Sequence, residues 1–134
     1  MPHLRFETTV EPDDRATFAE WVAAEFAAVM ETGTGHVGVS VRVCDRSGLS
    51  LGRAASDEDV VLVDADIRTG RSEEQRRALA TSIIERTSEE WDVAASNVYL
   101  VYTEHDGRDF HLAEGALASW DETETETGAT RGTE

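Results

Sequence analysis

Residues 60–103 read VVLVDADIRTGRSEEQRRALATSIIERTSEEWDVAASNVYLVYT, and the fold is decided in this run. Its first eight residues are a short, Val-rich apolar run of strand length. Ser72 with Gln75 then forms a capping box, and Glu73 and Glu74 fill the first turn, where acids suit the positive end of the helix dipole. Leu79, Ile83, Ile84, Thr87 and Trp91 recur at helical spacing and give the helix one apolar face over 73–91. A second strand is expected over 97–103. A crossover of this length joins parallel strands, so the run is one β–α–β unit.

The same order occurs upstream, roughly sixty residues earlier. In PHLRFETT, residues 2–9, Leu4 and Phe6 alternate with His3, Arg5 and Glu7 as in a half-buried strand. Pro12, Asp13 and Asp14 start a helix whose apolar face is Phe18, Trp21, Val22, Phe26, Val29 and Met30, and Gly33 is expected to end it. A strand over 37–44 completes the first unit. The fold class is α/β (α+β): two tandem units, 2–44 and 60–103, forming a four-stranded, mainly parallel sheet with both helices on one face. A hairpin over 104–120 would close a single domain spanning 1–120. The last segment, DETETETGATRGTE (121–134), has five acids, one Arg and no large apolar residue, and is expected to be a disordered tail. One sheet face and the outer strand edges are left uncovered, which predicts a homo-oligomer.

Charge narrows the function. The chain has 134 residues with 28 acids against 12 basic residues, a formal net charge of −16, and every basic residue is Arg. Such a surface repels nucleic acid and anionic membranes, which argues against either as a partner. At molar salt the Debye length falls to about 3 Å, so the self-repulsion suits a salty medium. The composition resembles that of halophilic proteins. No window approaches the roughly 18 consecutive apolar residues of a membrane span, and MPHLRFE is unlike a signal peptide, so the expected location is cytoplasmic. The lone Cys44, in VGVSVRVCD, is expected to be a buried, inert thiol.

Most motifs lose to plainer readings. Gly33, Gly35 and Gly38 spell G-x-G-x-x-G, but here the pattern closes a helix and enters a strand, the reverse of a dinucleotide site. His3, His36, His105 and His111 form no metal-ligand spacing. A solvated loop accounts better than a cation site for the group Glu104, His105, Asp106, Asp109 and His111. Neither G-x-S-x-G nor a P-loop occurs, so no metal and no cofactor is expected. The informative pair is Arg68 and Arg71, at the mouth of the capped helix, where two guanidiniums beside the helix N-terminus make a local anion site. The competing reading is that they pair with surface acids such as Glu73.

GRSEEQ (70–75), VYLVYTEH (98–105) and DFHLAEGALAS (109–119), in this order and at these separations, resemble the tautomerase superfamily in its 4-oxalocrotonate tautomerase branch. The opening Pro2-His3-Leu4 and the two-unit length are similar to the 5-carboxymethyl-2-hydroxymuconate isomerase and cis-3-chloroacrylate dehalogenase groups. The resemblance implies a homotrimer and a catalytic N-terminal proline, Pro2, exposed once Met1 is removed, with Val61 in the corresponding place of the second unit. It further implies that Arg71 and Arg68 bind a substrate carboxylate and that Phe110 walls the pocket. Tyr99 stands where 4-oxalocrotonate tautomerase has a second arginine, and Ser40 where the isomerases have one, with Arg42 a potential substitute.

The chemistry so implied is keto-enol tautomerisation of a small 2-oxo (2-hydroxydienoate) acid, with Pro2 as general base. A free α-amino group titrates at about 7.7–8.0, and burial beside Arg68 and Arg71 would lower it towards a usable base. In the alternative, a dehalogenase or hydratase, protonated Pro2 acts as an acid while Tyr102 and Glu114 activate water. The alternative of another class is a non-catalytic trimeric binding module.

Overall fold

The computed structural model describes residues 2–117. Strand β1 (His3–Thr8), helix α1 (Arg15–Met30) and strand β2 (Gly38–Val43) form the first unit. Strand β3 (Val61–Arg68), helix α2 (Glu73–Trp91) and strand β4 (Val98–His105) form the second, and a two-residue-per-strand hairpin, β5 (His111–Leu112) and β6 (Gly115–Ala116), follows. The expected tail falls outside the described residues, as do Met1 and Trp120.

The sheet order is β2-β1-β3-β4. Each unit pairs its own strands in parallel, but the two units meet through an antiparallel β1–β3 ladder running from His3–Asp66 to Thr8–Val61. The sheet is therefore mixed: two of its three ladders are parallel, as expected of a mainly parallel sheet, and the central one is antiparallel. This ladder turns the second unit end over end relative to the first. As a result the start of β1, the end of α1, the end of β3, the start of α2 and the end of β4 share one end of the molecule.

Both helices cover one face, and one core joins them. Leu4 and Phe6 from β1, Val61, Val63, Ala65 and Ile67 from β3, Phe18, Val22 and Phe26 from α1, and Leu79, Ile83 and Trp91 from α2 are all buried in it. Phe18 meets Phe6 edge-on at 5.2 Å and Trp91 at 4.5 Å. Between the helices, Ser82 Oγ donates to Glu25 at 2.6 Å and Gln75 Nε2 donates to the Val29 carbonyl at 3.1 Å.

The helix boundaries follow their caps. Asp14 accepts from the Thr17 amide at 3.0 Å and starts α1, while the Ser72–Gln75 capping box starts α2 as the sequence predicts. Helix α1 stops earlier than Gly33 suggests, because Glu31 itself takes the left-handed conformation, φ 57°. Asp92 ends α2 in the same way, φ 55°. Cys44 is half-buried instead of buried, since it lies just beyond the edge strand β2. The stretch between β2 and β3 packs at the opposite end of the sheet, where Asp59 holds Arg46 at 2.9 Å and the Thr9 hydroxyl at 2.8 Å.

Candidate functional site

The β1–β3 register brings the start of β1 and the end of β3 to the same end of the sheet. Continuing that ladder one step sets Pro2 opposite Ile67, with Arg68 the next residue along. With Met1 in place Pro2 is buried, and it extends the row of Leu4, Phe6 and Thr8 that faces the helices. Its carbonyl accepts the Gly38 amide at 2.9 Å, which fixes the start of β1 against β2.

Arg68 closes β3 and is only 1% exposed, the largest fully buried side chain among the described residues. Gly70, at φ 123°, lets the chain turn sharply from β3 into α2, a conformation that side chains with a Cβ rarely adopt. This turn places Arg71, 6% exposed, in a cavity of about 580 Å³ that it lines with Glu31, Gly70, Ser72 and Gln75. An Arg71 terminal nitrogen donates to the Glu31 carbonyl at 3.5 Å, and the Arg71 carbonyl accepts from Arg76 at 2.9 Å. Glu73 pairs with Arg77 at 3.0 Å. The capped N-terminus of a 19-residue helix faces this cavity beside a buried guanidinium, a combination that favours an anion.

A second cavity, of about 390 Å³, is lined by His3, Asp66, His105, Asp109, Phe110 and His111. His3, next to Pro2 in the sequence, lines this cavity together with Phe110. His105 Nε2 lies 2.9 Å from Asp66 Oδ1, and Arg5 donates to Asp66 Oδ2 at 2.7 Å. Among the described residues no cluster could hold a metal ion, and two of the loop acids have arginine partners: Asp106 binds Arg108 at 3.1 Å and Glu104 binds Arg76 at 3.2 Å.

The remaining expected residues are not gathered here within one chain. Arg42, exposed on β2, pairs in register with Glu7, about 16 Å down the sheet from Pro2 at the usual strand rise. Tyr99, 54% exposed, pairs with Leu62 at that far end and lines a different cavity with Glu7, Leu51 and Asp64. Tyr102 faces the helices, and its hydroxyl donates to the Arg76 carbonyl at 2.7 Å. Glu114 sits in the exposed β5–β6 turn. Tyr102 and Glu114 thus have different surroundings. The chain Arg5–Asp66–His105 escaped the sequence reading, although its signal was present: Arg5 alternates with the core residues of β1, and Asp66 with those of β3. Only the antiparallel register brings them together.

A family model described as tautomerase enzyme matches residues 36–113, more than half of the chain. The chain belongs to the tautomerase family. No curated protein matches the chain. Among solved structures, N1, a member of the cis-3-chloroacrylic acid dehalogenase family, is 17% identical with a TM-score of 0.74, covering 90% of this chain and 85% of that one. Native fused 4-OT is also 17% identical, at TM-score 0.71, covering 85% and 94%. The macrophage migration inhibitory factor from Trichinella spiralis is 13% identical, at TM-score 0.71, covering 88% and 99%. At such identities these likenesses establish the tautomerase fold.

Proposed function

We propose that this chain is a cofactor-independent tautomerase that ketonises a small 2-hydroxydienoate or enol-pyruvate-like monocarboxylic acid, with Pro2 as its base. The observation that carries the reading is the burial of two guanidiniums, Arg68 and Arg71, at the end of the sheet where β1 begins with Pro2. Removal of Met1 frees a secondary amine at that point. Apolar surroundings and nearby like charge both disfavour its protonated form, which leaves a neutral base near pH 7. The enol hydroxyl gives its proton to the amine as the carbonyl forms, and the resulting ammonium returns that proton to carbon. Arg71 and the α2 N-terminus hold the carboxylate, and Arg68 stabilises the enolate charge between the two transfers. Arg42 and Tyr99 lie at the far end of the sheet, which supports a monocarboxylate.

The test is an ultraviolet assay of phenylenolpyruvate and 2-hydroxymuconate ketonisation in high salt, with intact mass to establish loss of Met1. Pro2→Ala and Arg71→Ala are each expected to lower kcat/KM about 10²-fold or more. Full activity in Pro2→Ala would rule out the proline mechanism. Hydrolysis of 3-chloroacrylate without ketonisation would favour the dehalogenase reading, and inertness towards all three compounds the binding module. Tyr102 offers little to the dehalogenase reading, since its hydroxyl is committed to a backbone carbonyl on the helix side.

A further inference from the structure

We infer that His105 is a positioning residue of this site, setting both the Phe110 wall and the arginine-bearing turn through an ion-paired chain that begins at Arg5. The inference rests on the tautomerase reading above. His3 and Arg5 on β1, Asp66 on β3 and His105 on β4 all project from the sheet face opposite the helices, as the strand alternation requires. One Asp66 oxygen accepts from Arg5 at 2.7 Å and the other meets His105 Nε2 at 2.9 Å. A carboxylate that already accepts from a guanidinium accepts from its second neighbour as well, which puts the imidazole hydrogen on Nε2. That hydrogen is present in the neutral and in the charged ring, so the link holds in both states.

The ring so oriented meets Phe110 edge-to-face, centroids 5.5 Å apart at 89°. This contact restricts rotation of the wall in a way that a loop residue could not achieve alone. The backbone of His105 adds a second link, because its carbonyl accepts the Thr69 amide at 2.9 Å and the residue pairs in register with Arg68. One residue therefore touches the aromatic side of the site and the turn from which Arg71 departs. The side chains of His105 and Asp66 are 35% and 21% exposed, so their truncation leaves the core intact.

The test is steady-state kinetics on phenylenolpyruvate for the wild type, Asp66→Ala, His105→Ala and the double variant, with thermal melts alongside. Each single variant is expected to raise KM about tenfold while kcat stays within about twofold, and the double variant should be no worse than either. Unchanged KM in both singles, or effects that multiply in the double variant, would overturn the inference. A wild type without turnover refutes the tautomerase reading alone. The Phe110 ring resonances in the proton NMR spectrum then decide the inference: a change in Asp66→Ala supports it, and identity with the wild type overturns it.

Discussion

Side chains at this site act by where the strand pleat points them. Arg68 and Arg71 were legible in the sequence because they flank a glycine turn and a capping box, both local signals. Asp66 and His105 were not, because their meeting depends on a β3–β4 pairing that spans 39 residues of chain. Tyr102 illustrates the same limit. Its phenol lies under α2, and burial raises its pKa above the ordinary value near 10 despite the opposing charge of Arg76. A phenol whose folded pKa exceeds its unfolded one stabilises the fold below about pH 10, and that contribution is lost as pH rises further. Tyr102→Phe is therefore expected to cost about 1 kcal/mol at pH 8, for the lost bond to the Arg76 carbonyl, and to flatten the decline above pH 10. Urea midpoints measured at pH 8 and pH 11 for both proteins check this.

At the scale of elements, both helices were found from periodicity and caps, and α2 spans Glu73–Trp91 as expected. What the sequence could not supply was the direction of β1 against β3, since alternation is identical in parallel and antiparallel strands. Gly33 also misled, for a physical reason: Glu31 and Asp92 each accept the left-handed conformation that a glycine would adopt without strain. Asp92→Gly relieves that strain and is expected to raise stability by up to about 1 kcal/mol, seen as a higher urea midpoint. No effect, or a loss, would mean that the Asp92 side chain contributes more than its backbone costs.

For the whole molecule, β2 and β4 are the outer strands of the sheet among the described residues, with Tyr99 and Val101 exposed on β4 at 54% and 39%, and covering such edges favours self-association. Light scattering in molar salt is expected to give the mass of three chains; a monomer would contradict this. With a net charge of −16, dilution of the salt should weaken the assembly. The end-over-end relation of the two units has one more result. The start of β3, at Val61, lies at the opposite end of the sheet from the start of β1, and the segment around Asp59 packs there. In an assembly of identical single units, any substitution alters both ends of the sheet at once. Here each end is encoded separately, so selection can refine one while the other drifts into scaffolding.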